Sequence, residues 1–217
     1  MYKIILLIAF ACAVFACKKD NNPNSGSTDN ISRINASWDN ENIIKTYSAN
    51  QLNEFAEYSF SGVAGNYFGF ISSFRINDKE KIEIRFGTLL SSHSSLTHEE
   101  ILTIISPGSK NFGSLGAYSS YPQLKPGCAE IAFTDKNSTR WCSTHISERQ
   151  TDYGIETNVE IDQPQSEFVI DKVKKVPVSK NEGYLVTGHF VCTLYEVNDE
   201  HQKKIKGNFS GIVSNSN

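Results

Sequence analysis

The chain has 217 residues, with 24 acidic and 21 basic side chains and a formal net charge of −3. That balance excludes a protein built to hold nucleic acid through a strong basic field, and 14 glycines with 6 prolines exclude a collagen-like or wholly disordered chain. The length suits one domain with an appendage, large enough to bury a core without help from metals.

Residues 1–16, MYKIILLIAFACAVFA, carry one charge, Lys3, before an apolar run from Ile4 to Ala16. A run that short, at about 1.5 Å per residue, does not cross a hydrocarbon core of about 30 Å, so it reads as a secretory signal and not as a membrane span. Cys17 follows at once. Val14, Phe15, Ala16 and Cys17 resemble the four positions of a lipoprotein lipobox, and Cys17 is the expected lipid acceptor, with Cys12 as the rival. Residues 18–30, KKDNNPNSGSTDN, contain no aliphatic or aromatic side chain and read as a disordered tether reaching about 20 Å. The expected organisation is a signal peptide over 1–16, a lipidated cysteine and tether over 17–30, and a single domain over 31–217. Acyl chains such as palmitate would hold that domain at the outer membrane, on its periplasmic or cell-surface face.

From Ile31 the dominant period is two, the mark of strands with one buried face. Ile34, Ala36 and Trp38 alternate with polar residues. Residues 50–59 carry either a short helix, through Leu52, Phe55 and Ala56, or a strand. Phe68, Phe70, Ser72, Phe74 and Ile76 share a face, Asn77 to Glu80 form a turn, and Ile82, Ile84 and Phe86 return. Thr97-His98-Glu99-Glu100 is a capping box with Leu96 and Ile101 as its hydrophobic staple, and Pro107-Gly108 ends the helix. Ile131 and Phe133 lead through a polar turn to Trp141, and Phe168 to Val173 form a further strand. Val186, Gly188, Phe190, Cys192 and Leu194 then face one way, with Ile205, Phe209, Gly211 and Val213 returning. The expected fold is all-β and mainly antiparallel, a two-sheet β-sandwich with one or two short helices.

Chemistry-bearing patterns are sparse. No G-x-S-x-G elbow, HExxH helix, P-loop or G-x-G-x-x-G is present, so no catalytic residue, metal or cofactor is assigned. His93 and His98 beside Glu99 and Glu100 have the right types for zinc, but the capping box accounts for the glutamates. Residues 109–126, SKNFGSLGAYSSYPQLKP, form a long irregular stretch, and its Phe112, Tyr118 and Tyr121 are the candidate ligand contacts, since aromatic faces stack on sugars. Trp38 and Trp141 are expected in the core. Cys128, Cys142 and Cys192 remain for the domain, and export permits a disulfide. Cys128–Cys142 would close a short loop but requires a bulge or strand drift, while Cys192 suits a buried thiol.

The block Tyr184–Val213, with Gly188-x-Phe190, Leu194-Tyr195 and Ile205-x-Gly207-x-Phe209, resembles the closing hairpin of uncharacterised Bacteroidota surface lipoproteins, and the region of Phe133-Thr134-Asp135 and Trp141 is similar to their middle strands. The resemblance implies an extracytoplasmic β-sandwich of unknown function and carries over no catalytic residue. The expected function is a non-enzymatic, lipid-anchored module that binds a glycan or a surface protein, without nucleic acid. An extracytoplasmic hydrolase and a structural subunit of an envelope complex are the alternatives.

Overall fold

The computed structural model describes residues 32–38, 41–46, 53–62, 65–90, 96–115, 127–151, 154–160, 163–178, 181–197, 199 and 201–214. In chain order these form β1 Arg33–Trp38, β2 Glu41–Thr46, β3 Glu54–Gly62, β4 Gly65–Arg75, β5 Lys81–Leu90, α1 His98–Ile104 and β6 Gly108–Phe112. There follow β7 Cys128–Thr134, β8 Arg140–Cys142, β9 His145–Thr151, β10 Gly154–Glu160, β11 Glu167–Val178, β12 Asn181–Glu196 and β13 Gln202–Ser214.

The alternation seen in the sequence becomes burial. Ile34, Ala36 and Trp38 of β1, Phe68, Phe70 and Phe74 of β4, and Ile82, Ile84 and Phe86 of β5 all enter one core. Asn77 closes the β4–β5 turn by accepting from the Lys79 and Glu80 amides at 2.9 Å each. Asp135 does the same before β8, accepting from the Asn137 and Thr139 amides and, through Oδ2, from the Trp141 indole at 3.1 Å. Residues 54–62 are a strand, β3, so a helix at 50–59 gives way to β pairing where Phe55 reaches the core.

The fold is all-β, and its strands join differently from the expected pair of sheets. Eleven strands make one continuous mixed sheet, and β9 pairs only with β10. The ladder also closes on itself. β13 pairs with β3, β3 with β4, β4 with β5, β5 with β7, β7 with β6, β6 with β11, β11 with β12, and β12 again with β13. A closed ladder removes the exposed edges that would otherwise invite pairing with other chains. The β13–β3 and β7–β6 links are parallel and short, and elsewhere the ladder is antiparallel.

Aromatic rings fill the enclosed space. Phe55 lies 5.0 Å from Phe86 and 6.1 Å from Phe209 between ring centroids, and Phe168 stacks on Phe209 at 5.3 Å. Trp38 meets Phe133 at 4.8 Å and Trp141 at 5.1 Å, both edge to face, so the two tryptophans are core residues as expected. The helix forms as expected. Thr97 caps it, the Glu100 carboxylate returns to the Thr97 amide at 2.8 Å, and Leu96 and Ile101 are both buried. No described helix is long and apolar enough to cross a membrane.

Candidate functional site

The interior is packed with side chains, so a ligand seat belongs on the outside. Among the described residues, the outer face of β2, β1, β13, β12 and β11 offers one. Register places Thr46, Arg33, Ser210 and Thr187 in one row across it. The next row is Ile44, Asn35, Asn208, His189 and Val169, and a third is Asn42, Ser37, Lys206, Val191 and Glu167. These residues alternate with Ile34, Ala36, Phe209 and Phe190, whose side chains fill the core, so one strand pattern builds both faces.

This face is hollowed into a trough. A depression of about 670 Å³ is lined by Arg33, Asn35, Thr46, Asp171, Thr187, Asn208 and Ser210. Through Asn35 and Asn208 it continues into one of about 300 Å³ bounded by Ser37, Asn42, His189 and Lys206. Through Ser37, Val191 and Lys206 that one continues into a third of about 490 Å³ beside Gln202 and Lys204. The polar groups of the walls are hydroxyls, carboxamides, a guanidinium, ammonium groups, the Asp171 carboxylate and the His189 imidazole, with Leu185, Val191 and Ile205 among the apolar ones.

A β-bulge sets the trough's one fixed charged constellation. The β11–β12 register slips between Ile170 and Lys172, leaving Asp171 as the extra residue. Bulges re-aim side chains, and this one brings Asp171 to His189, whose Nδ1 donates to both carboxylate oxygens at 2.8 and 3.0 Å. The other ring nitrogen, Nε2, lies 3.6 Å from Glu167 Oε1. His189 is thus bracketed by two carboxylates with its ring orientation fixed.

The expected site residues are distributed differently. Cys17, Cys12, His93, Tyr118 and Tyr121 lie outside the described residues. Phe112 ends β6 and is 7% exposed within the main core, so its ring packs under the sheet and offers no stacking surface. His98 Nε2 meets the Tyr184 hydroxyl at 3.1 Å, tying α1 to β12, while Glu100 serves the cap.

A Cys128–Cys142 disulfide is corrected by the register. Cys142 pairs with Ala132 on β7, four positions from Cys128, an offset of roughly 13 Å at about 3.3 Å per residue. A disulfide needs Cα atoms within about 7 Å, and Cys128, Cys142 and Cys192 are buried thiols. Burial first, then the Glu130 carboxylate, pushes the Cys142 thiol well up, and burial alone raises Cys192. Neither supplies a thiolate nucleophile at neutral pH.

A second polar cluster serves architecture. The outer face of β5 and β7 is covered, so Glu130 is fully buried and accepts from Cys142 Sγ at 3.2 Å and Thr144 Oγ1 at 3.3 Å. Arg85, its cross-strand partner, donates to the Leu115 carbonyl at 3.2 Å and lies 3.5 Å from Glu83. These bonds fasten β8 and the segment after β6 against the sheet. At the β12–β13 turn, Glu196, Asp199 and His201 each bring one ligand atom within 4.8 Å of the others, types that suit zinc or nickel. The turn's backbone bonds and the two 3.2 Å contacts of His201 Nδ1 already account for their proximity.

Comparison with protein-family models, with curated proteins and with solved structures found no match, so no relative's activity transfers to this chain.

Proposed function

We propose that the chain is a lipid-anchored cell-envelope protein of the Bacteroidota type, acting as a non-enzymatic glycan-binding module whose ligand seat is the outer trough. On this reading Cys17 bears the lipid, residues 18–30 lift the domain off the outer membrane, and the closed sheet is flattened into two facing layers. The contact of Phe86 on β5 with Phe168 on β11, 6.1 Å between ring centroids on strands that are not ladder neighbours, supports that two-layer description.

The trough's composition carries the functional reading. Carboxamides, hydroxyls and a guanidinium side by side are the donors and acceptors that vicinal sugar hydroxyls require. Each such bond exchanges with water and nets about 1 kcal/mol, so useful affinity comes from several acting together along an extended ligand. Strands hold Asn35, Asn208 and Thr187 in place before the ligand arrives, which lowers the ordering cost. Tyr118 and Tyr121, outside the described residues, remain candidate stacking groups for the same class of ligand.

Calorimetric titration of the full chain in detergent against a polysaccharide panel tests this. Binding that falls at least tenfold in Asn35→Ala/Asn208→Ala supports the trough. Loss only in Tyr118→Ala or Tyr121→Ala moves the seat to residues 109–126, and no binding to any glycan removes the reading. The anchor is tested separately: labelled palmitate enters the wild type and not Cys17→Ser, and label lost instead in Cys12→Ser moves the acceptor.

The bracketed His189 favours one second reading, a hydrolase. Asp171 orients the imidazole as it would for a general base, with Glu167 at the other nitrogen. Release of reducing ends from a bound polysaccharide, lost in His189→Ala, would establish it over simple binding.

A further inference from the structure

The charge along the trough is uneven, and it names the class of glycan. Asp171 and Glu167, the carboxylates of its β11 wall, both engage His189, at 2.8 and 3.6 Å. The cations are not engaged in this way. Among the described residues, Arg33 at one end and Lys204 and Lys206 at the other have no carboxylate partner. Lys203, immediately before Lys204, lines the same depression from the inner side: its ammonium sits 5.2 Å from the ring centres of both Trp38 and Trp141 at the end of the core.

Lys204 and Lys206 both alternate to the outer face, about 7 Å apart along β13, where Ser37 and Gln202 line the same depression and, among the described residues, no carboxylate does. Arg33 lies opposite Ser210, four residues further along β13 from Lys206 and so roughly 13 Å away. Between these cations the β1 and β13 side of the wall carries the neutral Asn35, Asn208 and Ser37, while the Asp171–His189–Glu167 group stands on the β11–β12 side.

We propose that the trough takes an acidic polysaccharide, with carboxylate or sulfate groups over Lys204 and Lys206 and over Arg33, and sugar hydroxyls on the carboxamides between. This rests on the glycan-seat reading and names its ligand class. Charge complementarity supports it, since three unpaired cations gather on one face of a chain whose net charge is −3. The same net charge disfavours a nucleic-acid ligand, which needs a basic field over a longer track.

Equilibrium binding of the full chain in detergent is measured against polygalacturonate, dextran sulfate, neutral dextran and single-stranded DNA, at low and high salt. One or both acidic polysaccharides should bind at least tenfold tighter than dextran at low salt, and which one binds identifies the anion. That preference should collapse in Lys204→Ala/Lys206→Ala and at high salt, with unchanged melting temperature in the variant. Dextran bound as tightly as the acidic polymers, with no effect of the lysine substitutions, overturns the acidic class. In that case a loss in Asn35→Ala/Asn208→Ala would still leave the seat standing. DNA bound as tightly as either acidic polysaccharide overturns the proposal in favour of nucleic acid, and no polysaccharide binding removes both readings.

Discussion

Phe209 of β13 lies directly across the ladder from Gly188 of β12, and its ring occupies the space a side chain at 188 would need. A Cβ there would stand 2.5 Å from Phe209 Cζ and 2.3 Å from the Val169 carbonyl oxygen. The pairing is reciprocal, because Phe190 of β12 stands across from Gly207 of β13. Gly188→Ala is therefore expected to destabilise the protein by about 1–3 kcal/mol, as overpacking does. Chemical denaturation checks this. Phe209→Leu in the same chain should recover part of the loss, because it relieves the ring contact and leaves the Val169 contact in place.

The helix offers a smaller and cleaner test. Thr97 accepts from the Glu100 amide at 3.3 Å, and Glu100 returns to the Thr97 amide at 2.8 Å. Thr97→Ala removes that cap and should cost about 1 kcal/mol, read as a fall in melting temperature of roughly 2–4 °C. Glu99→Ala leaves the capping box intact and should do less.

The thiols give a chemical and a pH-dependent readout. Cys128, Cys142 and Cys192 should stay unmodified by iodoacetamide in the native protein at pH 8 and all react once it is denatured, as mapped by peptide mass spectrometry. A Cys128–Cys142 crosslinked peptide would contradict the register. Cys142 and Cys192 hold their protons more tightly folded than unfolded. Stability from this source is intact below the ordinary thiol range and falls as pH rises above about 9, where only the unfolded chain ionises. Melting temperature should therefore drop across that window, and Cys192→Ala should flatten the drop.

The fold is legible wherever alternation is long and uninterrupted. Residues 186–194 and 205–213 show it, and they form the β12–β13 hairpin at the centre of the sheet. β2 is harder to see, since ENIIKT places its two isoleucines side by side, and its strand state comes from the ladder to β1. Phe112 misleads because a strand, β6, opens the stretch that composition reads as a loop. The β11 bulge does leave a trace. Phe168 and Ile170 keep one phase and Val173 takes the other, which is what an inserted Asp171 produces.

The trough itself is not legible. Lys204, Lys206, Asn208 and Ser210 have the pattern of any solvated strand face. That face is assembled only when β1 pairs beside β13, a contact between residues as far apart in sequence as Arg33 and Ser210. Closure of the sheet is hidden for the same reason, since the parallel β13–β3 and β7–β6 links are only two residue pairs each.

The most direct test fills the trough and asks whether binding survives. Asn208 faces outward where the 670 Å³ and 300 Å³ depressions meet and lines both, so an indole there blocks the trough at that junction without touching the core. Binding of polygalacturonate and dextran sulfate to the full chain is measured for the wild type and Asn208→Trp, with melting temperature as the control for folding. The wild type should bind, and Asn208→Trp should lose that binding at unchanged melting temperature. Binding that Asn208→Trp leaves undiminished would contradict the trough as the ligand seat.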